Sequence, residues 1–338
     1  MKVIKKAFRV GAKAAKGMLL KKRIPLNIMI SLTDRCQSRC AYCRIPQAQR
    51  KEEMTTQQVF LLLDQAVVYG CERVALWGGE PLLREDIGDI IRYAKSKNLY
   101  VTMDTNGYLV KEHLDDIAQL DILLISWDGP AEAHNANRMP DSYPKVMEAI
   151  RLAKERVKLW TLTVLTTNNI KCLPRILEMG RSEGVPMVFQ LLYHNEGQAG
   201  NTDSMLPTYQ QHQEAFRQLL EGKKRNLPIV NSSRFLKCLV AWKDFSRQTL
   251  PFRQRGYPVC RAGQFFCNVD VDGKVYPCNR LVGAVEAKSF LEAGFKEAFK
   301  FADRRGCESC ITPGLEFSLM LSFDLASVTN WVKFIFKK

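Results

Sequence analysis

The sequence predicts an α/β protein in which six parallel βα units wind a TIM-like barrel and a small cysteine-bearing module follows. Three observations predict it. Six apolar runs of strand length alternate with helical patterns of 10–15 residues. Three closely spaced cysteines follow directly after the first run, where the loops of a parallel barrel carry chemistry. From about Arg234 the pattern changes to short elements that bear a second cysteine group.

The elements follow in order. Residues 1–25 form a basic arm. The strands are expected at Leu26–Leu32, Arg73–Trp77, Tyr100–Met103, Ile122–Trp127, Thr161–Leu165 and Met187–Leu192. Helices are expected at Thr55–Tyr69, Arg84–Lys97, Lys111–Leu120, Tyr143–Val157 and Leu173–Glu183, with a longer one, Tyr209–Leu220, leading away. This core spans 26–230. In the module at 231–314, Asp270-Val271-Asp272-Gly273 reads as a hairpin turn between strand residues Val269, Val271, Val275 and Tyr276. A helix over Ser289–Phe301 would return the chain. An amphipathic segment, 315–338, closes it.

Composition bounds the function. Charged and apolar fractions of 25% and 46% are those of an ordinary globular protein. Eleven cysteines in ligand-like groups point to metal in a reducing cytoplasm rather than to disulfides. No apolar run is long enough to span a bilayer, and the N-terminus does not read as a signal peptide. The net charge of +15 sits in the tails: residues 1–23 hold nine Lys or Arg and no acid, and the last eight residues add three more. Such a distribution excludes a basic nucleic-acid groove. Ile4, Phe8, Ala12, Ala15 and Leu19 recur at helical spacing among lysines, as do Leu325, Val328, Trp331 and Ile335. Basic amphipathic helices of this kind can rest on an anionic membrane, which would place the protein peripherally on the inner face. The plainer alternative is a pair of helices packed on their own domain.

Cys36, Cys40 and Cys43 carry the chemistry. Three thiolates at Cys-x3-Cys-x2-Cys can hold three irons of a cubane and leave the fourth open, whereas a purely electron-carrying cluster normally takes four cysteines. A zinc knuckle would need a fourth ligand nearby, and none lies between Cys43 and Cys71. The triplet, with Tyr42 before its last cysteine, resembles the radical S-adenosylmethionine (radical SAM) superfamily. Trp77-Gly78-Gly79-Glu80-Pro81 at the end of the second strand is similar to that family's Gly-Gly-Glu-Pro motif. Thr105-Asn106-Gly107 and Ser126-Trp127-Asp128-Gly129-Pro130 with His134 and Arg138 resemble further stretches of it.

The resemblance implies a partial (β/α)6 barrel with a small C-terminal cluster-binding module. It implies a [4Fe–4S] cluster on the three cysteines and reductive cleavage of SAM to a radical that abstracts hydrogen from substrate. A reductant such as flavodoxin or ferredoxin would supply the electron. Gly78, Gly79 and Glu80 would contact the methionyl amine, Ser126 the ribose, Arg138 the carboxylate and Tyr42 the adenine. His134 is equally a helix-entry or packing residue and an acid or base; Asn169 matches an Asn after strand five in the same subgroup, and a helix N-cap explains it equally.

Cys260, Cys278, Cys307 and Cys310 resemble the SPASM and shorter twitch domains, which implies one auxiliary [4Fe–4S] cluster that accepts an electron. Structural zinc is the alternative. Cys267 could replace one ligand, Cys238 is a spare, and Cys71 and Cys172 read as buried apolar residues. For substrate, the tails favour a membrane-proximal lipid or isoprenoid-type molecule; the alternative is a ribosomal peptide or protein side chain. A non-catalytic iron–sulfur carrier would leave the Gly-Gly-Glu motif without a purpose.

Overall fold

A computed structural model describes residues 2–45, 51–192, 203–304, 306–312 and 314–336. Strands β1 (Asn27–Ser31), β2 (Arg73–Trp77), β3 (Tyr100–Thr105), β4 (Ile122–Ser126), β5 (Leu159–Leu165) and β6 (Met187–Leu191) pair in sequential order, all parallel. Each lies within a residue or two of its predicted run. Helices α2 (Thr56–Val68), α3 (Ile87–Ser96), α4 (Leu114–Ile117), α5 (Ala131–Asn137), α6 (Ser142–Ala153) and α7 (Leu173–Glu183) fill the crossovers. Side chains alternate across a strand. Val74 and Leu76, or Val101 and Met103, therefore pack under the helices, while Ala75, Trp77, Thr102 and Asp104 line the concave interior. The sheet is the curved, partial barrel that the pattern predicts.

Two helices are shorter than predicted for local reasons. Arg84 does not begin α3; its buried guanidinium donates to the carbonyls of Leu32 and Met54 and pairs with Asp86. Only Leu114–Ile117 of the predicted 111–120 helix closes, and Asp116 turns to Arg92 and His113.

The C-terminal part is more closely joined to the barrel than the sequence suggests. After α8 (Tyr209–Lys224) and α9 (Ser233–Ala241) comes β7 (Thr249–Leu250). Next, β8 (Phe266–Val269) pairs parallel with β1, and β9 (Lys274–Tyr276) and β10 (Lys288–Ser289) continue the same sheet antiparallel. The hairpin is thus an extension of the barrel sheet to nine strands. The predicted 289–301 helix is two, α10 (Phe290–Ala293) and α11 (Phe295–Phe301), because Gly294 turns the chain at φ +75°. A short β11 (Ser309–Cys310) pairs with β7.

Both tails are helical. In α1 (Lys2–Leu19) the face that packs is Val10, Gly11, Ala14 and Met18, and Arg9 and Lys13 reach the buried carboxylate of Glu72. The predicted apolar stripe points outward instead: Phe8 and Leu19 are 79% and 83% exposed. Small residues allow α1 to lie close, since a Cβ on Gly17 would collide with the Phe265 ring. At the other end, α12 (Gly314–Leu321) and α13 (Leu325–Phe336) pack on α9, with Phe334 edge-on to Trp160. The side chains of Ile4, Trp331 and Ile335 lie outside the described residues. No helix among the described residues is long and apolar enough to cross a membrane.

Candidate active site

The loop that leaves β1 is stapled to the loop that leaves β2. Leu32 N–H donates to the Trp77 carbonyl (2.9 Å), Gly79 N–H to Thr33 (2.7 Å) and Glu80 N–H to Arg35 (2.8 Å). A Cβ on Gly78 would sit 2.5 Å from the Thr33 carbonyl oxygen, and one on Gly79 would overlap that of Arg35. Gly78 also holds φ +133°. The two glycines are required because one backbone lies against another, and this contact aims the cysteine loop.

Cys36, Cys40 and Cys43 converge on the mouth of the interior cavity. Burial, reinforced by their mutual proximity, pushes the Cys36 thiol up to about 11, and burial also raises Cys43. Around them stand hydrogen-bond donors that favour thiolate once metal is present. Ser38 N–H reaches Cys36 Sγ (3.4 Å), Asn106 Nδ2 approaches it at 3.6 Å, Ser38 Oγ lies 3.3 Å from Cys40 Sγ, and Arg138 Nη1 lies 3.7 Å from it. Three thiols on one loop with such donors fit a cluster held by three cysteines.

Glu80 sits behind this mouth. Its fully buried carboxylate accepts from Leu82 N–H (3.1 Å), Thr105 Oγ1–H (2.7 Å) and Asn106 N–H (2.7 Å). Burial lifts its pKa to about 7 despite those bonds. The side chain therefore ties the β2 loop to the β3 loop, and Gly78 and Gly79 are the motif residues that face the cavity.

The hub of the opposite wall is Asp128, to which the sequence reading assigned no role although it stands within the Ser-x-Asp-Gly-Pro stretch. Fully buried, it accepts from Arg138 Nε (2.6 Å), Val164 N–H (2.9 Å) and Tyr42 Oη (3.3 Å). Arg138 in turn lies 5.3 Å above the Tyr42 ring. Tyr42, Ser126 and Arg138 all line the cavity. His134 Nδ1 accepts from Asp128 N–H (3.1 Å), and burial drops its pKa to about 4. Its burial and its acceptor role both favour the neutral ring. Asn169 makes no capping bond; it donates to the carbonyls of Asp128 (3.1 Å) and Val164 (2.8 Å), joining two loops.

The cavity of about 610 Å³ runs down the barrel from the cysteines to α1. Its walls are mostly apolar, with Met29, Leu124, Leu162 and Val188 from the strands and Phe317 and Val328 from α12 and α13. A volume of this size suits a small molecule or a few peptide residues.

The second cysteine group also assembles. Burial, then the neighbouring Cys260 and Cys310, pushes Cys278 up to about 12, and Cys260 and Cys307 are raised by burial and then Cys310. Arg304 bonds Cys260, and Thr312 Oγ1 lies 3.4 Å from Cys310 Sγ. None of the four lines the cavity. Cys267 and Cys238 do not join them. Cys267 alternates to the helix-covered face of β8 and packs in the main core near Cys71, and Cys238 is buried in α9 beside Tyr257. No three His, Cys, Asp or Glu side chains among the described residues lie at single-ion spacing.

Residues 30–180 match the radical SAM superfamily. That segment is a radical SAM domain. The chain's similarity continues past it. A PqqA peptide cyclase of Granulibacter bethesdensis is 26% identical over 292 residues, 82% of this chain and 73% of the relative. An AdoMet-dependent heme synthase of Methanosarcina barkeri is 25% identical over 303 residues, covering 85% of each. Among solved structures, native anSMEcpe with bound AdoMet and Cp18Cys peptide superposes with a TM-score of 0.65 at 20% identity, over 88% of this chain and 84% of that one. The radical SAM family binds a [4Fe–4S] cluster and SAM, and the residues at the cavity mouth fit both.

Proposed function

We propose that this radical SAM enzyme matures a ribosomal peptide or protein side chain, and that Cys260, Cys278, Cys307 and Cys310 hold an auxiliary [4Fe–4S] cluster. When bound, the cofactors supply one-electron cleavage of SAM to methionine and a 5′-deoxyadenosyl radical that takes a hydrogen atom from the substrate. The chain's own groups prepare for this. Cys36, Cys40 and Cys43 would hold the cluster at the cavity mouth, and Gly78 and Gly79 offer backbone to the methionyl amine. Tyr42 and Ser126 wall the nucleoside, and Asp128 orients Arg138. The mostly apolar walls exclude water from a reactive radical.

The observation that carries the peptide reading is the likeness to PqqA peptide cyclase, which covers 82% of this chain, well more than residues 30–180. Four thiols, Cys310 buried and the other three half-buried, none of which lines the cavity, suit electron transfer better than substrate binding. The four act on one another electrostatically, as the ligands of one cluster would. On this reading, the electron left when the substrate's new bond closes passes to the auxiliary cluster, and a proton is released. The first electron comes from a flavodoxin- or ferredoxin-type reductant.

The test is anaerobic reconstitution followed by reaction with SAM, reductant and a peptide library. Peptide-stimulated 5′-deoxyadenosine with a peptide that has lost hydrogen supports the reading; SAM cleavage that no peptide stimulates contradicts it. The mostly apolar cavity and the exposed Phe8 and Leu19 beside basic residues favour a second reading, an apolar small molecule taken from an anionic membrane. Binding to anionic vesicles that disappears on deleting residues 1–23 would support it. Vesicle binding that is weak or unchanged by the deletion would remove it.

A further inference from the structure

We infer that Asp104 is the specificity residue of the cavity and recognises a cationic group on the substrate, a lysyl ammonium or arginyl guanidinium. This rests on the peptide reading for the identity of the cation's carrier. Among the described residues six charged side chains line the cavity: Lys6, Glu72, Arg73, Asp104, Arg138 and Glu316. Five are already bonded. Lys6 donates to the Asn98 carbonyl, Glu72 holds Arg9 and Lys13, Arg138 holds Asp128, and Glu316 accepts from Ser232 N–H. Arg73 donates to Asn27 Oδ1 (2.7 Å) and Thr102 Oγ1 (2.8 Å) and stacks on Phe317.

Asp104 alone has no hydrogen bond or ion pair among the described residues; Arg73 acts on it only at longer range. Its neighbours at the same level of the barrel are apolar, with Leu124 beside it on β4 and Trp160 beyond on β5. Leaving a carboxylate unpaired in such surroundings is costly, and burial raises its pKa to about 6. A cation brought by the substrate would offset that cost.

Position adds to the argument. Asp104 precedes Asn106 by two residues on the same side of β3, about 7 Å along the strand. Asn106 approaches Cys36. A side chain gripped at Asp104 is therefore held just below the cluster, where hydrogen abstraction would occur.

The test uses the cluster-loaded, SAM-bound full chain in anaerobic calorimetry with two probes of one shape, hexylammonium and 1-hexanol. Hexylammonium should bind at least about tenfold more tightly, and Asp104→Asn should abolish the difference. Asp104→Asn should melt at the same or a higher temperature, because an unpaired, half-buried charge facing the cavity is removed, whereas a structural aspartate would give a lower one. Equal or absent binding of the two probes by the wild type, or a preference retained by Asp104→Asn, would overturn the inference. Failure of the peptide reading looks different. The hexylammonium preference would stand, but no lysine- or arginine-containing peptide would raise 5′-deoxyadenosine above its norleucine counterpart.

Discussion

The two cysteine sites differ in construction, and on the proposed reading the difference separates a reactive centre from a relay. The first draws its three thiols from one eight-residue stretch and is aimed by backbone contacts to Gly78 and Gly79. It opens on the cavity and is flanked by Asn106 and Arg138, side chains from two other strand–helix units. The second gathers four thiols from three separate segments, is walled by Arg280, Arg304 and Thr312, and none of its thiols lines the cavity. Three ligands beside a cavity leave a coordination position for SAM. Four ligands away from it would, on the proposed reading, saturate a cluster whose use is to pass electrons.

The largest effect that can break this comparison comes from the open site. Cys40→Ala should remove about four irons and abolish 5′-deoxyadenosine; iron analysis and product chromatography check both. Cys278→Ala should also remove about four irons but leave SAM cleavage standing while the peptide product disappears. Loss of SAM cleavage in both variants would erase the distinction. Gly79→Ala sharpens it further. The added Cβ displaces the cysteine loop without touching a ligand, so 5′-deoxyadenosine formation should fall by about 100-fold with iron content retained.

Two smaller effects concern the walls. Asp128→Asn leaves Arg138 buried without its charge partner and should cost about 3–5 kcal/mol of stability, read from chemical denaturation. The last is a pH effect at Asp104. Its folded pKa is raised from 3.8 to about 6, so its contribution is fully present below pH 3.8 and is lost as pH rises through 6. Arg73 opposes the shift without cancelling it. Asp104→Asn should therefore gain stability relative to wild type between about pH 4 and pH 7, on the order of 1–3 kcal/mol. A constant difference across that range would show that Asp104 ionises freely.

The barrel was legible because its strands are buried on both faces and read as unbroken apolar runs bounded by helices of ordinary length. The cysteine sets and glycines were legible because each motif falls at a strand end. What escaped was relational. Asp128 is a common residue whose importance lies in gathering Arg138, Tyr42 and Val164 from distant positions. Glu80 has the carboxylate the motif calls for, and three donors of the scaffold, from Leu82, Thr105 and Asn106, also bond it. In α1 the residues that pack are Gly11, Ala14 and Gly17, whose small size lets the helix approach, so a search for bulky apolar positions selected the outward face. The C-terminal hairpin joins the barrel through the pairing of β8 with β1, a contact between residues more than 200 apart in sequence that no local pattern announces.

The most direct test is electron paramagnetic resonance of the dithionite-reduced, reconstituted protein with and without SAM, repeated on variants that lack one cysteine set. The account predicts that SAM shifts the signal carried by Cys36, Cys40 and Cys43 and leaves that of the C-terminal set unchanged. A SAM-insensitive first signal, or a shift at the C-terminal set, would contradict it.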